Sequence, residues 1–227
     1  TVNANASYGL YAVQCELAFT PDTMKGRWEV KGNGNGIASF YSQLTFDGLD
    51  VADSKRWGML AYYGDCSIKD STFIRNGSGG IRSYYNRLSR VEDSTFTANG
   101  GWALAHYGKD GQYYGYKDGT RGWHEGVQPA AYRGYRVTGN LGGGLYLSGL
   151  QDDALDMRQL SIRDNAGTGL YLRDCQLTLT PQDQEQLEIT NNGTGVYAYR
   201  GNVSLDGFDV QGNKNWGMYS YLCATSV

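Results

Sequence analysis

The residues best equipped for chemistry crowd into one stretch, Gly108–Gly134. It holds Tyr113, Tyr114, Tyr116, Arg121, Trp123, His124 and Glu125, and both histidines of the chain, His106 and His124, lie in or beside it. Imidazole titrates near neutrality, and a phenol, guanidinium or carboxyl beside it can complete an acid–base set. Tyr107, His124, Arg82 and Glu125 are the candidates for that set. The competing use is contact without reaction. Tyr62, Tyr84, Tyr107, Tyr113, Tyr114, Tyr116 and Trp123 are large rings with polar tips, suited to holding a ligand. His106 falls at an inward-facing place that other repeats fill with Ala, Ser or Leu, so it reads as a core histidine.

What must position these residues is a repeat. Asn165-Ala166-Gly167-Thr168-Gly169-Leu170 recurs as Asn5…Gly9-Leu10, Asn76…Gly80-Ile81, Asn140…Gly144-Leu145, Asn191…Gly195-Val196 and Asn213…Gly217-Met218. Weaker copies are Gly32…Ile37, Ser54…Met59 and Asn99…Leu104. The shortest step, from Ile37 to Met59, is 22 residues, and no helical pattern fills it. Each copy carries three apolar patches, such as Gly36–Phe40, Leu44–Phe46 and Leu49–Val51. Short alternating runs bounded by Gly, Asn and Asp are the strand signal. The expectation is an all-β parallel β-helix, a β-solenoid. It has about nine coils of 22–27 residues and three parallel sheets around a solid core. Between Leu104 and Leu145 the step lengthens to 41, so residues 108–134 form one long loop inserted in coil five. Insertions in a solenoid map to loops, often on the binding face.

This grammar resembles the right-handed parallel β-helix of the pectate-lyase-like superfamily over nearly the whole chain. The resemblance implies right-handed winding and one domain, 1–227. It says little about function, because that fold hosts lyases, hydrolases, epimerases, phage tailspikes and adhesins. Lyases of the superfamily use an Arg or Lys base, often with acidic calcium ligands, and others use His and Tyr. No acids cluster in adjacent coils like the catalytic Asp set of polygalacturonase-type hydrolases. Asp70-Ser71-Thr72-Phe73 does return as Asp93-Ser94-Thr95-Phe96. Calcium, which takes several oxygen ligands, is one reading of that pair; a solvated turn is the commoner one. No other metal or cofactor is indicated.

If the residue after the motif Gly points inward, the second and fourth places point out. The fourth column reads Val13, Phe40, Tyr62, Tyr84, Tyr107, Ser148, Arg173, Tyr199 and Tyr221. The second carries Tyr11, Tyr146, Tyr171, Tyr197 and Tyr219, and Tyr41, Tyr63 and Tyr85 stand beside the fourth. These stripes read either as cross-strand stacking or as a platform for sugars or proteins.

The remaining observations bound the function. The chain has 227 residues, 33 of them Gly and 19 Tyr, and a net charge of −3 without a basic cluster, which argues against nucleic acid. No apolar run reaches the ~20 residues of a membrane span. The Asn column suits tight corners, where amides stacked along the axis can form a ladder. The Asn-x-Ser/Thr triplets at Asn5, Asn76, Asn192 and Asn202 read as corners of the same kind. Cys15, Cys175 and Cys223 share one column in non-adjacent coils, too far apart to bridge, so the four thiols are expected free. Neither end carries a cap, which suggests flanking coils or domains of a parent protein. Three functions stand open. The first is a secreted or cell-surface segment for adhesion, assembly or glycan binding, with a polysaccharide or cell-surface protein as partner. The others are a polysaccharide lyase or epimerase working at the insertion, and a tailspike-like module.

Overall fold

The computed structural model describes residues 1–22, 26–108, 112–117, 120–125, 131–152, 157–179 and 187–226. For residues 112, 113, 115–117, 120, 121, 124, 125, 131, 132, 152, 179 and 226 it describes the backbone alone. All regular structure among the described residues is β-strand. The strands wind as a parallel β-solenoid of about eight turns, which is what nine stacked copies of the motif enclose. One sheet joins nine short strands in the order Val2–Asn3, Trp28–Lys31, Leu49–Ala52, Thr72–Ile74, Thr95–Thr97, Arg136–Thr138, Ser161–Arg163, Leu187–Thr190 and Phe208–Gln211. The other runs through Tyr8–Val13, Asn35–Asp47, Trp57–Lys69, Gly79–Glu92, Trp102–Tyr107, Gly143–Ser148, Thr168–Leu179, Thr194–Leu205 and Met218–Ser226.

Hydrogen bonding thus makes two large sheets where three were expected. The first two patches of a coil fuse into one long strand that bends without breaking its ladder. The bend is a single residue in the left-handed region: Tyr41 at φ 53°, Tyr63 at 58°, Tyr85 at 50°, Asp174 at 52° and Arg200 at 49°. Two further left-handed columns complete the triangle. One holds Asp53, Arg75, Ala98 and Asp164, and the other Gly48, Asp70, Asp93 and Gly134.

The motif positions explain themselves. Ile37, Met59, Ile81, Leu104, Leu145, Leu170 and Val196 stack in register and are fully buried. Where a Gly precedes these positions, as it does in all but Leu104, which follows Ala103, there is no room for a Cβ. At Gly169 one would stand 2.7 Å from the Ile189 side chain, 2.8 Å from Asn192 Nδ2 and 2.9 Å from the Gly195 carbonyl. The asparagines form the expected ladder. Asn99 Nδ2 donates to Asn140 Oδ1 at 2.9 Å, Asn140 to Asn165 at 2.9 Å and Asn165 to Asn192 at 2.9 Å. Each Oδ1 also accepts the backbone N–H of the coil before it. In coils two and eight the ladder residue is Asn33 or Asn192, one place later than the repeat implied. Gly32 and Asn191 fill the left-handed corner instead, at φ 65° and 57°. Ser54 interrupts the column, and its Oγ is buried without a hydrogen-bond partner. All four cysteines are free, Cys66 and Cys175 being buried.

Candidate functional site

The insertion is a β-hairpin. Residues 112–117 pair antiparallel with 120–125, Tyr114 opposite Trp123 and Tyr113 opposite His124. It lies against the corner tyrosines. The Tyr114 ring meets Tyr41 edge-on at 5.8 Å and Tyr63 at 5.3 Å, and Trp123 meets Tyr85 at 5.4 Å. Tyr41 and Tyr63 stack at 4.8 Å beneath it. Bulky side chains in the left-handed region are outliers, kept only where surroundings over-determine them. Here a stack and an aromatic cap supply that constraint.

The candidate residues therefore divide. Tyr114 and Trp123 belong to the corner cluster and not to the stripe of Tyr62, Tyr84 and Tyr107. The side chains of Tyr113, Tyr116, Arg121, His124 and Glu125 lie outside what the structure describes, so a set joining His124 and Glu125 to Tyr107 has no geometry to stand on. Arg82 and Tyr107 do come together. The Arg82 Cζ sits 4.9 Å from the Tyr84 ring centroid, 5.7 Å from that of Tyr107 and 5.4 Å from that of Trp57. The guanidinium thus lies over the tyrosine rings, while its Nε is buried without a hydrogen-bond partner. Burial nevertheless raises the Tyr107 phenol above its ordinary value, so at neutral pH it is protonated and no base. His106 lies behind the face, 5% exposed, with Nδ1 3.2 Å from Ser83 Oγ. Burial lowers its pKa to about 4, so it is neutral in the core.

The stripe is longer than its two columns suggested. Phe40, Tyr62, Tyr84 and Tyr107 stack at 5.1, 5.1 and 4.5 Å. Tyr107 then meets Tyr146 at 5.0 Å, tilted by 38°, and the stack continues through Tyr171, Tyr197 and Tyr219 at 5.0, 4.7 and 5.0 Å. Tyr8 and Tyr11 extend it at one end and Trp216 at the other. The fourth and second columns are thus one ladder that crosses over diagonally. The crossing is possible because Ala105 lies beneath Tyr146 and Ser148 above Tyr107, small residues that leave both rings room to meet. The exchange of Tyr107 for Ser148 together with Ala105 for Tyr146 was the signal in the sequence.

Ring orientation decides what this face offers. Away from the crossing, each ring plane from Phe40 to Tyr197 lies within 16° of its neighbour's. Each ring covers its neighbour's face, and water reaches edges and phenol tips. Tyr62, Tyr84, Tyr107, Tyr146, Tyr171 and Tyr197 are all half-buried. Arg173 and Arg200 flank the later part, 5.8 and 4.9 Å from the Tyr199 ring.

A second polar feature had no sequence signal. A cleft of about 380 Å³ is lined by Lys69, Arg90, Arg133 and Arg158 around Glu92 and Asp93, four cations to two anions. Arg90 Nε donates to Glu92 Oε2 at 2.6 Å and Arg133 Nε to Oε1 at 2.8 Å. Burial alone would raise the Glu92 carboxyl, but these two hydrogen bonds outweigh it and hold its pKa low. Arg90 and Arg133 lie on opposite sides of the 112–125 hairpin in the chain, so only folding joins them. Among the described residues no three His, Cys, Asp or Glu side chains converge as metal ligands, and Asp70 pairs with Lys69 at 3.6 Å.

The chain matches no protein-family model, no curated protein and no solved structure.

Proposed function

We propose that this chain is a secreted or surface-exposed β-solenoid segment that makes non-catalytic contact with extended polysaccharides along its tyrosine face. A right-handed winding of the pectate-lyase-like kind, and a place among flanking coils of a larger protein, belong to the same reading. The observation that carries it is continuity: rings in contact run from Tyr8 to Trp216 without a missing rung, half-buried except at Tyr11 and Trp216, which are exposed. Because the ring faces are taken up by stacking, the contact is made by ring edges, phenol hydroxyls and the guanidinium of Arg82. Each contact is weak. A polymer bridging successive coils gains affinity by engaging many at once. Adhesion to a cell surface is the natural use of such a face.

The test is co-sedimentation with acidic and neutral polysaccharides, with product size followed by mass spectrometry. The cationic lining of the Glu92 cleft is the reason to include acidic ones. Retention without cleavage is expected, and it should fall when Tyr62, Tyr84 and Tyr107 are all changed to Ser in a protein that remains folded. Absence of retention across the panel would refute the proposal. Shortened or unsaturated products would favour the lyase or epimerase reading instead, for which the placement of the Arg82 guanidinium over the Tyr107 ring is the one supporting contact.

A further inference from the structure

The ladder has a chemical property that stacking does not require. Phenylalanine stacks equally well, as Phe73 and Phe96 do in the core at 5.1 Å. Yet the outer ladder from Tyr62 onward is made entirely of rings that a one-electron oxidant can oxidise. Tyr62, Tyr84, Tyr107, Tyr146, Tyr171, Tyr197, Tyr219 and Trp216 follow one another with centroids 4.5–5.7 Å apart. Electron transfer falls off steeply with distance, and neighbouring π-systems at contact exchange electrons fastest. The tyrosines are also half-buried, so each phenol can exchange its proton with water. Phe40 is the one redox-inert rung, and it separates Tyr11 from Tyr62.

We propose that this ladder conducts oxidising equivalents along the solenoid between Trp216 and Tyr62. The external one-electron oxidant removes an electron from Trp216 or Tyr219, and the oxidised ring releases its proton to water, leaving a neutral radical. The next tyrosine gives that radical an electron and loses its own phenolic proton to water. The first ring takes back a proton and returns to its closed-shell form. Each hop moves one electron and one proton, and no bond forms between rings. A thiol-class reductant in solution ends the sequence by donating a hydrogen atom. The consequence for the protein is that oxidation travels along the half-buried outer ladder, while Cys66 and Cys175 of the same strands stay buried.

The experiment tethers a ruthenium polypyridyl photo-oxidant at Cys223 in a Cys15→Ser background, the other two cysteines being buried. Flash illumination with a cobalt(III) ammine acceptor generates the oxidant, a nitroso spin trap captures radicals, and peptide mass spectrometry locates the adducts. Adducts are expected as far as Tyr62 and Tyr84, with Tyr11 unmarked. Tyr171→Phe keeps the ring stack but removes one redox-active rung, so adducts at Tyr62 and Tyr84 should fall to background while those at Tyr197 and Tyr219 persist. Phe40→Tyr should carry the mark on to Tyr11. Absence of adducts beyond Tyr197 in the unsubstituted ladder, or an unchanged distribution in Tyr171→Phe, overturns the proposal.

Discussion

At the scale of single residues, the buried amides and the buried imidazole of His106 matter most. Asn99 is fully buried, and its side chain serves four partners: the backbone and amide of Asn76, the Phe73 carbonyl and Asn140. Asn99→Ala leaves several buried groups unpaired, so a loss of about 3 kcal/mol is expected. Urea unfolding would measure it, and Asn202→Ala on the exposed surface should change little. The glycosylation triplets separate on the same ground: Asn76 and Asn192 are buried in the ladder and Asn202 is exposed. His106 makes stability depend on pH. Its folded pKa of about 4 lies below the unfolded value of ~6.5, so the unfolded chain binds the proton first. Stability is therefore full above pH ~6.5 and falls as the pH drops toward 4, by about 3 kcal/mol from this group. In His106→Leu, which copies the Leu147 of the next coil, that part of the pH slope should disappear from the difference between variant and parent.

At the scale of elements, the hairpin and the left-handed corner are one structural unit. Tyr41, Tyr63 and Tyr85 hold an unfavourable backbone conformation, and the hairpin rings cap them edge-on. A double-mutant cycle with Tyr63→Ala and Tyr114→Ala should return a coupling of about 0.5–1.5 kcal/mol. A value near zero would mean that the hairpin rests on the corner without being held by it. The insertion was legible as a break in period between Leu104 and Leu145, and its richness in aromatic residues was plain. That it caps Tyr41, Tyr63 and Tyr85 was not legible, because nothing local in the hairpin states where its rings land.

At the scale of the whole molecule, burial is uneven along the axis. Inner coils bury their stacked side chains completely, whereas Leu10, Leu17, Phe19, Phe208, Val210 and Met218 remain partly open. Tyr11 and Val13 in Tyr8–Val13, Tyr221 and Leu222 in Met218–Ser226, and Trp216 just before that strand are exposed large apolar residues; in the middle coils Leu141 and Trp123 are the others among the described residues. Local opening should follow that gradient. In native-state hydrogen exchange, amides of Tyr8–Val13 and Met218–Ser226 are expected to exchange well before those of Gly79–Glu92; uniform protection would contradict it. No helix among the described residues is long and apolar enough to cross a membrane.

The amino-acid sequence by itself determined the parallel β-solenoid, the place of each inward apolar column and the presence of the Asn ladder. Those features repeat, and a contact made once per coil must leave its mark once per coil. Residue periodicity therefore carries register directly, as in the stack from Ile37 to Val196. The tertiary structure decided what does not repeat. Side-chain sizes at Ala105 and Ser148 joined two tyrosine columns into one ladder. Ring planes parallel across coils turned an apparent platform of faces into a row of edges. The fold brought Arg90 and Arg133 onto one carboxylate from either side of the hairpin. Each depends on distances between groups far apart in the chain, and no local pattern of residue types encodes such a distance.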